Sequence, residues 1–148
     1  MKKYILVLLI LIIGSVFAFN KLFYQGSTEV WSGKQLISPA GLANTLNNPG
    51  ADQPMIFSIG PSGLIKAAID IGPVQEDENL TKLKKQLSSL SKDTAIVIYC
   101  GCCPFKNCPN IRPAFRLLND MKFTNHKLLD LSHNFKVDWV DKGYPVNQ

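Results

Sequence analysis

The sequence has few charged residues and only two histidines, and it contains no internal repeat or low-complexity tract. Charged residues make up 18% of the 148 residues, which is too few for a disordered tail protein. The net charge is +5, and the lysines are scattered or lie on one predicted helix, so we expect no nucleic-acid partner. A hydrophobic fraction of 46% is sufficient for the core of one domain.

Cysteine is absent outside one short stretch, which holds all four cysteines of the chain: Cys100, Cys102, Cys103 and Cys108. Residues 95–99, just before it, form an apolar, β-branched run that predicts a buried strand. Residues 111–119, just after it, have the apolar spacing of a helix. A thiol at the end of a strand, on a loop leading into a helix N-terminus, is well placed to ionise. Cys100 is therefore the candidate nucleophile.

The N-terminal segment has the pattern of an export signal. Lys2 and Lys3 form a basic region, residues 4–13 are an apolar run, and residues 16–18 offer a cleavage site. We predict a signal peptide or an N-terminal membrane anchor over residues 1–18, the anchor lying in residues 4–18. Either way the domain is expected to be exported, to the periplasm or to the outer face of a bacterial cytoplasmic membrane. No cysteine directly follows the apolar run, so a lipid-modified N-terminus is not expected.

The remaining chain predicts a tether over residues 19–34 and one domain over residues 35–148. Helices predicted over residues 39–46, 77–90 and 111–119 alternate with strands over residues 55–59, 67–71, 95–99 and 127–131. Residues 135–146 are expected to form an irregular tail that carries Trp139. This alternation predicts an α/β domain of three layers, with a central parallel sheet flanked by helices. Catalytic groups in such sheets lie beyond the carboxyl ends of the strands, where Cys100 is placed.

Three chemistries fit cysteines that are so close together. Cys100 and Cys103 form a C-x-x-C dithiol, although folds that carry this motif in a redox role place it early, whereas here it lies late in the chain. The run C-x-C-C-x4-C offers soft thiolates for zinc or copper(I). The third chemistry is sulfur transfer through a persulfide on Cys100, with the other thiols as acceptors or resolving partners. A structural disulfide between two of the four cysteines also remains open.

Cations near the cysteines are expected to favour the thiolate. Lys106 lies within the cysteine loop and Arg112 at the start of the following helix, so both add positive charge that lowers a thiol pKa. His126 and His133 are distant in sequence, and we interpret them as surface or core residues, not as metal ligands.

Several short motifs follow one another in a set order. They are residues 36–39 with Leu42 and Leu46, the strand 96–99 ending at Cys100, residues 112–114, residues 122–125, and Trp139 followed by residues 143–146. Together these motifs resemble the rhodanese-like domain over roughly residues 36–146. The resemblance implies that Cys100 takes a sulfane sulfur from a donor such as thiosulfate and passes it to an acceptor. It also implies that Arg112 closes the active-site loop and attracts the anionic donor.

The chain departs from this family at several positions. Arg112 lies twelve positions after Cys100, which indicates an insertion in the active-site loop that carries three additional cysteines. Residues 58–60 replace the Asp-x-Arg that often ends the first strand, and Lys122 replaces the glycine of the Gly-Phe-x-Asn turn. The fold tolerates these changes more easily than a simple thiosulfate activity does.

Our leading interpretation is an exported, rhodanese-like sulfurtransferase or thiol-redox protein with a persulfide or disulfide at Cys100. Its substrate would be a small sulfur-containing anion or a thiol, and it needs no cofactor and no metal. The alternative is a non-catalytic metal-thiolate or disulfide-stapled binding module on the same fold. The candidate active-site loop comprises Gly101, Cys102, Cys103, Lys106, Cys108 and Arg112.

Overall fold

A five-stranded, all-parallel sheet forms the centre of the computed structural model, which describes residues 29–147. The strands are β1 (Leu36–Ile37), β2 (Met55–Ser58), β3 (Ala68–Asp70), β4 (Ile96–Tyr99) and β5 (His126–Leu129). Their spatial order is β1-β5-β4-β2-β3, so β4 is the central strand. The prediction of an α/β domain with a central parallel sheet is therefore confirmed.

In the described part of the chain, four helices pack around the sheet: α1 (Pro39–Asn47), α2 (Asp77–Ser88), α3 (Ile111–Asp120) and the single turn α4 (Phe135–Asp138). Helix α1 begins as the sequence predicts, because Ser38 precedes a proline at the first helical position. The Ser38 hydroxyl accepts a hydrogen bond from the Gly41 N–H at 3.1 Å, which satisfies one free donor of the first turn. Short 3-10 turns occupy Gly33–Gln35, Phe105–Asn107 and Val140–Lys142.

Apolar side chains bury both faces of the sheet. Along β4, Ile96 and Ile98 belong to one core cluster, while Val97 and Tyr99 belong to the other, because successive strand residues point to opposite faces. The first cluster includes side chains of α2 and α3, and the second includes α1 and Trp139. Burial on both sides explains why this strand is a continuous apolar run in the sequence.

The C-terminal segment is more ordered than the sequence suggests. The prediction of an irregular tail over residues 135–146 is wrong at its start, where the Asn134 side chain accepts a hydrogen bond from the Val137 N–H at 3.0 Å and caps α4. Trp139 is completely buried, and its indole N–H donates to the Pro145 carbonyl at 2.9 Å. An antiparallel bridge between Ile65 and Val146 then joins the segment to the loop before β3.

The residues just before β1 pack against the domain. Trp31 is 5% exposed, and its ring centroid lies 5.9 Å from those of both Phe105 and Phe115. The end of the segment predicted as a tether over residues 19–34 thus contributes to the core, whereas the predicted signal or anchor over residues 1–18 lies outside the described residues. Within residues 29–147, no helix has both the length and the apolar character needed to cross a membrane.

Candidate functional site

Cys100 directly follows β4, at the carboxyl end of the central strand, as the sequence predicts. Its side chain is only 1% exposed, because the loop after β2 passes directly over it. A Cβ atom on Gly60 would overlap the Cys100 Sγ, so the close approach of this loop requires glycine. From the sequence, Gly60 was noted only because it stands where an arginine was expected, and its contact with Cys100 was not predicted.

Gly101 allows the loop after β4 to turn through a narrow gap. A Cβ atom there would lie 2.5 Å from the Phe135 Cβ and 2.7 Å from the Ser62 Cβ. The Gly101 carbonyl also accepts a hydrogen bond from the Phe135 N–H at 2.9 Å. The start of the C-terminal segment thereby holds the cysteine loop in place.

Three of the four cysteines converge. The Sγ atoms of Cys100, Cys102 and Cys108 all lie within 4.8 Å of one another, and those of Cys100 and Cys102 are 3.3 Å apart. Cys103 does not belong to this three-sulfur cluster, although its Sγ lies 3.4 Å from that of Cys102. All four thiols are free; Cys108 is buried, Cys103 is half-buried and Cys102 is exposed.

Asn110 orients this cluster. Its amide Nδ2 lies 3.5 Å from the Cys100 Sγ and 3.8 Å from the Cys108 Sγ, so one NH2 group can donate to both sulfurs. The amide oxygen accepts a hydrogen bond from the Gln75 N–H at 3.0 Å, which fixes which end faces the sulfurs. Sequence reasoning missed Asn110, since an asparagine before a helix normally predicts a cap, and here its side chain makes no capping hydrogen bond.

The environment lowers the pKa of one thiol in the cluster and raises the pKa of the other two. The neighbouring Cys108 thiol contributes most to lowering the pKa of Cys100 to about 6, with further help from the Cys102 backbone N–H and the Asn110 amide, against the effect of burial. Burial, together with the adjacent Cys100 and Cys103, raises the pKa of Cys102 to about 12. Hydrogen bonding to Cys100, together with burial, raises the pKa of Cys108. At neutral pH the cluster therefore holds one thiolate, at Cys100, and two protonated thiols.

The two predicted cations are not the source of the low Cys100 pKa. Lys106 is exposed, with its Nζ 5.8 Å from the Phe105 ring centroid, beside a cavity of about 300 Å³ that Ser132 also lines. The Arg112 guanidinium lies 5.5 Å from the Trp31 ring. Hydrogen-bond donors from Cys108, Cys102 and Asn110 lower the Cys100 pKa against the opposing effect of burial, and neither cation contributes.

The same arrangement of strands and helices occurs in solved structures of EanB. The wild-type EanB structure has a TM-score of 0.55 and 18% sequence identity, over 83% of this chain and 29% of that chain. This chain shares its fold with part of EanB. A cysteine-to-serine variant of EanB with hercynine has a TM-score of 0.53 and 19% identity, over 77% of this chain and 27% of that chain. The chain thus spans less than a third of EanB.

A threonine-to-alanine variant of EanB in complex with hercynine gives the same picture, with a TM-score of 0.55 and 18% identity over 82% of this chain and 29% of that chain. At these identities the likeness to EanB shows the fold alone. No protein-family model and no curated protein matches the sequence.

The geometry supports a cysteine-based function. A thiolate beside protonated thiols can act as a nucleophile towards sulfur, and three converging sulfurs can also hold a soft metal ion.

Proposed function

We propose that this chain is a rhodanese-like sulfurtransferase in which Cys100 carries a persulfide. The observation that carries this proposal is the position of Cys100 at the carboxyl end of β4, in contact with donors that lower its pKa to about 6. The ordered motifs from residue 36 to residue 146 support it independently. The likeness to EanB supports the fold on which this chemistry is placed.

The first step consumes a sulfane sulfur donor such as thiosulfate. The Cys100 thiolate attacks the outer sulfur, the S–S bond of thiosulfate breaks, and sulfite leaves with the bonding electron pair. A new S–S bond at Cys100 Sγ holds the transferred sulfur as a persulfide, and no external oxidant or reductant is needed. An acceptor thiolate then attacks the outer sulfur and displaces Cys100 as a thiolate, which its low pKa makes a good leaving group. The Asn110 amide is placed to stabilise the Cys100 anion before and after transfer.

The test measures sulfur uptake directly. Fully reduced protein is desalted, treated with thiosulfate and analysed by intact mass, while released sulfite is quantified in the supernatant. We expect the mass to rise by one sulfur atom with equimolar sulfite, and we expect neither product with Cys100→Ala. Cys103→Ser serves as a matched control, because Cys103 lies outside the three-sulfur cluster. Reduced wild-type protein that takes up no sulfur would overturn the proposal.

A second candidate function is binding of a soft metal ion, favoured by the convergence of three Sγ atoms within 4.8 Å. Ligands at the usual metal–sulfur distance of about 2.3 Å can be at most about 4.6 Å apart, so Cys100, Cys102 and Cys108 need only a small contraction to share one ion. Elemental analysis of protein purified without chelators separates the two functions. Stoichiometric copper or zinc that is lost in Cys102→Ser would favour the metal-binding module, whereas metal-free protein that takes up sulfur favours the transferase.

We also propose that the domain acts outside the cytoplasm, on the basis of the sequence pattern of residues 1–18. Cell fractionation with N-terminal sequencing tests this. A mature chain that begins after Ala18 would indicate a cleaved signal, and an intact chain in the membrane fraction would indicate an anchor. Recovery of the intact chain from the cytosol would contradict export.

A further inference from the structure

The three-sulfur cluster has a buried member and an exposed member in direct contact. Cys100 is 1% exposed and enclosed by Gly60 and Asn110, whereas Cys102 is exposed with its Sγ 3.3 Å from the Cys100 Sγ. A thiol on the surface of a folded protein cannot bring its sulfur within bonding distance of an atom so well covered. A small anion faces a much weaker steric restriction.

We propose that Cys102 is the outlet of this site, which takes the sulfane sulfur from Cys100 and delivers it to a thiol on another protein. This inference rests on the proposed function, because it requires a persulfide on Cys100. It assigns a role to one of the additional cysteines of the loop and names the class of acceptor, a protein thiol.

The internal step conserves atoms and electrons. The Cys102 thiol passes its proton to the outer sulfur of the Cys100 persulfide, and the resulting thiolate attacks that sulfur. A Cys102–sulfur bond forms, the Cys100–sulfur bond breaks, and Cys100 leaves as a thiolate with the bonding pair. The step is redox-neutral. In the second step a thiolate of the partner protein attacks the outer sulfur on Cys102, and Cys102 leaves as the thiolate and is reprotonated by water.

Exposure gives this transfer a direction. Cys100 is 1% exposed and Cys102 is exposed, so a sulfur atom on Cys102 can meet a bulky acceptor, whereas a sulfur atom on Cys100 cannot. Removal of the sulfur by the partner thiol therefore draws it from the buried to the exposed position.

The other two cysteines do not meet both requirements of an outlet. Cys108 is 0% exposed, so it cannot meet a partner protein. Cys103 is half-buried and lies next to Cys102, outside the group of sulfurs that surrounds Cys100. Cys103→Ser is thus the matched control for Cys102→Ser, since it removes a neighbouring thiol without removing the contact with Cys100.

The test compares two acceptors of different size on the full-length, reduced protein. After loading with thiosulfate, the protein is offered either cyanide, which yields thiocyanate, or a small folded protein with one engineered surface cysteine and no disulfide. We expect Cys102→Ser to lower the ratio of protein-thiol transfer to cyanide transfer by at least about tenfold, and Cys103→Ser to leave this ratio unchanged. Peptide mapping should find the persulfide on Cys102 as well as Cys100 in the wild type, and on Cys100 alone in Cys102→Ser.

The outcomes distinguish failure of delivery through Cys102 from failure of sulfur loading on Cys100. An unchanged ratio in Cys102→Ser overturns the outlet role and leaves the proposed transferase intact. Equal loss of transfer to both acceptors also overturns it, because Cys102 would then support loading, not delivery. A wild-type protein that releases no sulfite from thiosulfate overturns the proposed function, and the outlet with it.

Discussion

Single residues around Cys100 supply hydrogen-bond donors and space, and both are needed for a reactive thiolate. Cys108 and Asn110 provide donors from the far end of the cysteine loop, and Gly60, in the loop after β2, leaves room for the Cys100 sulfur. The additional length of the loop therefore brings the Cys108 thiol and the Asn110 amide back into contact with Cys100. Donors at this range stabilise an anion without a nearby cation.

Removing the Cys108 thiol should raise the pKa of Cys100. In Cys108→Ala the largest stabilising contribution to the thiolate is lost, so we expect the pKa to rise from about 6 towards the ordinary thiol value. Since the thiolate is the reactive form and is lost as the pH falls through the pKa, the alkylation rate at pH 6–7 should drop. Peptide-resolved iodoacetamide labelling between pH 5 and pH 9 measures this, with Cys103→Ala as the control. An unchanged midpoint for Cys100 would show that Cys108 does not stabilise the anion.

A side chain at position 60 should displace Cys100. Gly60→Ala places a Cβ on the Cys100 Sγ, so we expect loss of sulfur uptake and a fall in unfolding free energy of about 1–3 kcal/mol. Gly33→Ala is the matched control, because nothing lies within 4 Å of its added Cβ, and it should stay within about 0.5 kcal/mol of the wild type. Urea unfolding and intact mass after thiosulfate treatment provide the two measurements. Normal uptake by Gly60→Ala would contradict the packing described for this loop.

Local signals in the sequence identify Cys100 but not its surroundings. The apolar run of β4 and the helix after residue 110 place Cys100 at the end of the central strand, and the structure agrees. The contacts of Gly60 and Asn110 depend on residues that are distant in sequence, so no local pattern reveals them. Arg112 was expected to attract the anionic donor, and its guanidinium lies against the Trp31 ring. Trp31 belongs to none of the sequence motifs, so this contact was not predicted.

At the scale of elements, α3 ends in a turn that requires an unusual backbone conformation. Lys122 has φ of 65°, and the Phe123 N–H donates to the Leu118 carbonyl at 3.1 Å, which together form a left-handed C-terminal cap. Glycine is the preferred residue at such a position, because it adopts a positive φ without a clash of its side chain. The left-handed conformation of Lys122 therefore costs free energy that a glycine would not cost.

Replacing that lysine with glycine should stabilise the protein. A left-handed non-glycine residue costs about 1–2 kcal/mol, and glycine loses about 0.5–1 kcal/mol in chain entropy, so Lys122→Gly should gain about 0.5 kcal/mol. Denaturant unfolding of Lys122→Gly and Lys122→Ala measures the difference, since alanine changes the side chain without relieving the backbone. Equal stability of the two variants would rule out backbone strain as the cause.

The elements themselves were predictable where the hydrophobic pattern is long or continuous. The leucines of α2 and the apolar run of β4 mark their elements within two residues. The strand β1 (Leu36–Ile37) was missed, because two residues show no periodicity and its partner, β5, lies near the other end of the chain. The turn α4 was missed for a similar reason, since one turn has too few residues for a helical pattern.

At the scale of the whole molecule, the domain begins before its first strand. Trp31 packs against Phe105 of the cysteine loop and Phe115 of α3, and its ring lies beside Arg112. The segment that leads out of residues 1–28 therefore touches both the loop and the helix that follows it. The composition of residues 19–34 suggested a tether, because the stretch is mixed and contains glycine and serine.

Truncating Trp31 should destabilise the entire domain. Trp31→Ala removes a nearly buried aromatic ring, so we expect a loss of about 3 kcal/mol in unfolding free energy. Lys34→Ala, at an exposed position of the same segment, should change stability by less than about 0.5 kcal/mol. Urea unfolding of the full chain measures both free energies of unfolding. A Trp31→Ala variant as stable as Lys34→Ala would show that Trp31 does not contribute to the stability of the domain.

The pairing of β1 with β5 has a consequence for when the site becomes reactive. Leu36 pairs with Leu128, so the sheet cannot close until nearly all of the chain is available. In the unfolded chain the four cysteines are ordinary thiols that are mostly protonated at neutral pH. Cys100 becomes acidic only after Asn110, Cys108 and the loop of Gly60 have assembled around it. Completion of the fold therefore acts as the activation step, and an immature chain is protected from premature reaction of its own nucleophile.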